Sequence, residues 1–121
     1  MSSILVVDDD PDIRDLVREV LEFDGYEVSE AQDGAVALEQ IHQHRPDLVL
    51  LDLGMPVMDG WTFLKQCCGE PDCRGVPVVV MSAVARQPGR PSIPERITHF
   101  LHKPFELTDL QSTVAQLLAA S

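Results

Sequence analysis

Ile4-Leu5-Val6-Val7-Asp8-Asp9 is the stretch on which the reading of this chain turns. A short apolar run rich in β-branched residues ends abruptly in two carboxylates. The construction recurs downstream. Leu48-Val49-Leu50-Leu51 ends in Asp52, Val78-Val79-Val80-Met81 ends in Ser82, and Phe100-Leu101 leads to Lys103. Short apolar runs that alternate with amphipathic segments predict an α/β fold with a parallel sheet. In such a sheet the functional groups gather at the carboxyl ends of the strands. The pattern therefore gathers three carboxylates, one hydroxyl and one ammonium at one sheet edge.

Outward from the first run, Asp10 reads as a helix N-cap, with Pro11 at the first helical position and Asp12 in the first turn. Ile13, Leu16, Val17, Val20 and Leu21 recur at helical spacing and predict one inward face. Gly25 predicts a left-handed end to that helix. Tyr26 to Glu30 alternates apolar and polar residues, as in an edge strand with one wet face. Asp33-Gly34 opens a second helix, with Ala37, Leu38 and Ile41 inward and Pro46 as its stop. A third is predicted from Met58 to Cys68, and a short fifth strand from His99 to Leu101. The last helix is predicted from Glu106 to Ala119, with Leu107, Leu110, Val114, Leu117 and Leu118 inward. The runs at Ile4, Leu48 and Val76 are apolar throughout, which places them centrally, covered on both faces. The stretch from Val84 to Arg96 breaks the rhythm. It holds Pro88, Gly89, Pro91 and Pro94 where a fourth helix belongs, and each interior proline costs a helix about 3 kcal/mol.

The chain has 121 residues, enough for one domain with one core. No apolar run is long enough to span a bilayer. The first residues lack the basic, apolar and small-residue pattern of a signal peptide, so none is expected. Cys67, Cys68 and Cys73 form no C-x-x-C pair, which favours reduced thiols in a cytoplasmic protein over a disulfide or a zinc site. The net charge of −11 opposes binding to nucleic acid or to an anionic membrane surface.

The converging acids have a definite chemistry. Two carboxylates about 4 Å apart repel by roughly 4 kcal/mol at an effective dielectric near 20. A third carboxylate raises that cost, so either protons or a cation must enter. All-oxygen ligation without His or Cys favours Mg²⁺. A carboxylate beside such a cation can act as a nucleophile towards phosphorus and form an acyl phosphate. A hydroxyl and an ammonium can then neutralise the phosphoryl oxygens. Each residue alone has a plainer reading. Asp8, Asp9 and Asp10 could be a capping run, and Asp52 could begin a loop. Their coincidence at the ends of predicted strands favours a shared site.

Four stretches carry a family resemblance: ILVVDDDPDIRDLV (4–17), LVLLDLGMPVMDG (48–60), VPVVVMSA (76–83) and FLHKPF (100–105). In this order they closely resemble the receiver domain of two-component response regulators, of the chemotaxis-regulator type, across almost the whole chain. The resemblance implies a single receiver domain over residues 1–121. Its fold would be a flavodoxin-like, doubly wound, five-stranded parallel sheet of order 2-1-3-4-5. It implies Asp52 as phosphoacceptor, Asp9 and Asp52 as direct Mg²⁺ ligands, Asp8 partly through water, and the backbone carbonyl of Gly54 as a further ligand. It implies Ser82 as the switch hydroxyl, Lys103 as the phosphate partner and Phe100 as the switch aromatic. Pro104 is the candidate for a cis peptide, since X-Pro bonds tolerate that isomer. The implied partners are a histidine kinase or histidine phosphotransfer protein upstream, and a protein target or output domain downstream.

Some features depart from the family pattern. Gly54 has no side chain beside Asp52. The proline-rich stretch implies an irregular or shortened fourth helix, which alters the usual output surface. No output domain is expected within these residues. Two other functions compete with the switch. One is a Mg²⁺-dependent aspartyl phosphohydrolase, which needs a second acid two residues after its nucleophile, where this chain has Gly54. The other is a receiver-like module that binds partners without phosphate.

Overall fold

Five apolar or alternating segments pair into one parallel sheet, because each buries side chains that no isolated strand could hide. In the computed structural model, residues 2–52, 76–82, 97–102 and 105–119 are described. The strands are β1 (Ser3–Val7), β2 (Glu27–Ala31), β3 (Leu48–Asp52), β4 (Val78–Ser82) and β5 (Ile97–His102). They lie in the order β2-β1-β3-β4-β5. The described helices are α1 (Pro11–Phe23), α2 (Gly34–Gln43) and the C-terminal α3 (Leu107–Ala119). The predicted third helix, the proline-rich stretch, Gly54, Lys103 and Pro104 all lie outside the described residues.

Alternation along the central strands divides the core in two. Leu5 and Val7 of β1, Val49 and Leu51 of β3, and Val78 and Val80 of β4 pack with Ala37 and Ile41 of α2. Ile4, Val6, Leu48, Leu50, Val79 and Met81 face the other way, against Val17 and Leu21 of α1 and Leu110 and Val114 of α3. Burying a Val, Leu or Ile side chain contributes about 1.5–3 kcal/mol, so these two layers carry much of the stability. β2 is an edge strand with one wet face, Glu27 and Ser29 being exposed and Ala31 buried.

The helix ends follow from their sequence. Asp10 caps α1 by accepting from the Asp12 N–H, with Pro11 in the first turn. At the other end Gly25 takes φ +96°. The Gly25 N–H donates to the Glu22 carbonyl and the Tyr26 N–H to the Leu21 carbonyl, the paired bonds of a Schellman ending. Asp33 is buried and accepts from the Val36 N–H, capping α2. Asp47 clamps the start of β1, its carboxylate accepting from the Ser3 N–H and its own N–H donating to the Ser3 carbonyl.

One inward assignment on α1 is corrected. Leu16 is 45% exposed, whereas Val17 and Leu21 are buried. At about 100° per residue, Leu16 stands roughly a quarter-turn from the centre of the Ile13–Val17–Leu21 stripe, on the flank of the helix. Phe23, seven residues on, shares that flank and is 89% exposed. Smaller shifts fall at the strand ends. β2 begins at Glu27 rather than Tyr26, and β5 spans Ile97–His102 rather than the three residues expected.

Candidate functional site

The sheet register sets the site. Val7 of β1 pairs with Leu51 of β3, and one residue further along each strand stand Asp8 and Asp52. Asp52 is the last residue of β3 and Ser82 the last of β4. Ser82 pairs with His102 of β5, directly before Lys103. The carboxyl edge therefore collects the backbone positions of Asp8, Asp52 and Ser82, as strand polarity requires.

Three carboxylates converge there. One oxygen from each of Asp8, Asp9 and Asp52 can be chosen so that all lie within 4.8 Å of one another. Asp8 is fully buried, Asp52 nearly so at 8% exposed, and Asp9 faces solvent. Two charged groups in a poorly hydrated edge, with a third at its mouth, form a pocket of negative potential that a cation relieves. Among the described residues the donors are all hard oxygens, which suits Mg²⁺ or a similar cation better than zinc or copper. These residues fit a divalent metal ion. Asp10, by contrast, uses its carboxylate to cap α1.

The loop between β1 and α1 is held closely. The Asp8 N–H donates to the Ala31 carbonyl at 3.1 Å, extending the β1–β2 pairing by one bond. Asp8 Oδ1 accepts from the Asp10 N–H at 3.0 Å. Arg14 Nη1 donates to the Asp8 carbonyl at 2.7 Å. Arg14 Nε also lies 3.5 Å from Glu30 Oε1 on β2. Glu30 Oε2 takes a second bond, from Arg18 Nη1 at 2.9 Å, and Arg18 Nε reaches Glu22 Oε1 at 2.6 Å. These two carboxylates raise the Arg18 pKa above its ordinary value, first through the Glu22 hydrogen bond.

Of the residues singled out from the sequence, Asp8, Asp9 and Asp52 are brought together. Ser82 and Phe100 lie on β4 and β5, with their backbones placed in the sheet. Gly54, Lys103 and Pro104 lie outside the described residues. Arg14 and Glu30 were not anticipated. Position 14 follows Asp8 by six residues, within reach of one helical turn, but nothing in the sequence distinguishes Arg14 from a solvated helix charge.

Comparison with known proteins agrees with this geometry. Residues 4–115 match the family model of the response regulator receiver domain. The response regulator MprA of Mycobacterium sp. (strain KMS) is 39% identical over 122 residues, covering 95% of this chain and 50% of MprA. The chain thus spans about half the length of the curated relatives it matches. Among solved structures, the Vibrio cholerae chemotaxis protein CheY4 superposes with a TM-score of 0.83 at 30% identity, over 97% of this chain and 98% of CheY4. The response regulator TrrA of Thermotoga maritima, solved in complex with Mg²⁺ and BeF, gives a TM-score of 0.84 at 30% identity, over 97% of this chain and 99% of TrrA. A match over nearly the full length, with the acidic edge in place, shows that the chain belongs to the response regulator receiver domain family.

Proposed function

We propose that this receiver domain is a phosphorylation-dependent signalling switch in which Asp52 accepts the phosphoryl group. The observation that carries the assignment is the convergence of Asp8, Asp9 and Asp52 at the carboxyl edge of β1 and β3. The donor is a phosphohistidine on a sensor kinase or phosphotransfer protein. A carboxylate oxygen of Asp52 forms the new bond to phosphorus as the phosphorus–nitrogen bond of the donor breaks, leaving an acyl phosphate and free imidazole. Asp9 and Asp52 directly, Asp8 partly through water, and the backbone carbonyl of Gly54 would hold Mg²⁺, which would offset the charge of the phosphoryl oxygens. Asp9 is the solvent-exposed member of the three. Lys103 and the Ser82 hydroxyl bind the transferred phosphoryl group through charge-assisted hydrogen bonds.

The signal is a shift between two states. Ser82 moves towards the phosphoryl group and Phe100 turns inward behind it. The fold is the flavodoxin-like doubly wound type, in one receiver unit. Output then passes to a protein target or an attached output domain, in the cytoplasm. Phosphohydrolase activity is disfavoured because Gly54 occupies the position of the second acid. A phosphate-independent module gives no reason for three acids to converge.

The test is labelling with acetyl phosphate and Mg²⁺, read by intact-protein mass spectrometry. One added phosphoryl group is expected on the wild type and none on Asp52→Asn. Equal labelling of the two would remove Asp52 from its role.

A further inference from the structure

We propose that Arg14 is a positioning residue for the metal-binding carboxylates, acting through the peptide that joins Asp8 to Asp9. The inference rests on the reading of these acids as a metal site. The Asp8 carbonyl belongs to that peptide, and Arg14 Nη1 donates to it at 2.7 Å. The same guanidinium is braced by Glu30, 3.5 Å from Nε, with the Arg14 side chain only 18% exposed. On the other side, the Asp8 N–H is held by the Ala31 carbonyl. The Asp8 backbone is therefore fixed at its donor by Ala31 of β2 and at its acceptor by Arg14 of α1, with Arg14 braced by Glu30 of β2.

Fixing the plane of this peptide fixes the directions in which both flanking side chains leave the backbone. Asp8 points into the buried edge and Asp9 to its mouth, and both must meet Asp52 within 4.8 Å. Arginine suits the task because its planar fork can engage a carbonyl and a carboxylate together, which a single ammonium does with less geometric control. Glu30 is itself held, by Arg18 at Oε2 and by the Gln40 amide, which donates to its carbonyl at 2.7 Å. Arg18 supplies an internal control. It shares Glu30 with Arg14, but its hydrogen bonds go to Glu22 and Glu30 and not to the loop.

The experiment measures Mg²⁺ affinity by calorimetric titration on wild type, Arg14→Ala, Arg14→Lys and Arg18→Ala. Amide hydrogen exchange is followed on the same proteins without metal. Outer partners of metal ligands typically change affinity 10–100-fold when removed, so Arg14→Ala should bind Mg²⁺ about tenfold more weakly. Arg14→Lys should fall between it and wild type, and Arg18→Ala should stay within about twofold of wild type. Exchange at the Asp9 and Asp10 amides should quicken in Arg14→Ala while the β1 amides keep their protection. Should Arg14→Ala fail to fold, Arg14→Lys decides by the same two readings. Wild-type affinity and exchange rates in the Arg14 variants would overturn the proposal, as would equal weakening by Arg18→Ala. Wild-type binding tests the metal site itself, and the metal-free exchange tests Arg14 independently of it.

Discussion

Asp8 and Asp52 continue the pairing of Val7 with Leu51 by one residue, on adjacent parallel strands whose preceding residues are all buried. The separation of these carboxylates is therefore set by strand spacing. The core that holds both strands in register therefore also holds the two carboxylates close together. Cation binding to the folded site should add to the stability of the protein.

Mg²⁺ should raise the urea midpoint of the wild type. A ligand at a hundred times its dissociation constant adds about 2.7 kcal/mol to a folded state that alone binds it. Asp9→Asn should lose most of this gain, with a midpoint without metal no lower than that of the wild type. An equal Mg²⁺ response in both proteins would exclude Asp9 as a ligand.

Asp10→Ala should separate capping from metal binding. Loss of an N-cap costs about 0.5–2 kcal/mol, and that cost should appear in the urea midpoint with little change in Mg²⁺ affinity. If Asp10→Ala abolished Mg²⁺ binding while Asp9→Asn left it intact, the ligand assignment would be reversed.

Gly25→Ala should destabilise through the backbone alone. No heavy atom lies within 4 Å of where an added Cβ would sit, yet φ is +96°. The left-handed region costs an ordinary residue about 1–2 kcal/mol, so chemical denaturation should show a loss of that order. A neutral result would mean that the ending of α1 relaxes to another conformation.

Leu21→Ala should be among the costlier core substitutions. Leu21 is fully buried, and leucine-to-alanine changes in cores cost about 2–5 kcal/mol. Leu16→Ala, on the exposed flank of the same helix, should stay within about 0.5 kcal/mol in the same denaturation series.

Much of this architecture was legible in the sequence because each device is local. Apolar runs ending in acids marked β1 and β3, Asp10-Pro11 marked the start of α1, and Gly25 marked its end. Leu16 was misplaced because apolar spacing defines a stripe but not its width. A residue on the border of the stripe is buried only if a neighbouring element reaches it. Arg14 and Glu30 were missed for a different reason. Their partnership spans α1 and β2, and an ion pair formed by tertiary contact leaves no mark on either segment alone. The approach of Asp8, Asp9 and Asp52 is likewise tertiary, but strand polarity made it predictable, since every parallel strand delivers its last residue to the same edge.

The strict alternation of the two apolar layers along β3 has an evolutionary corollary. Inserting or deleting one residue in Leu48–Leu51 would exchange the layer facing α2 with the layer facing α1 and α3, and would also turn Asp52 away from Asp8. Packing and chemistry share a single reading frame. Length changes within the strands are thereby barred twice over, and variation among descendants of this chain should collect in the connecting segments, where partner preference can drift while the acidic edge stays in phase.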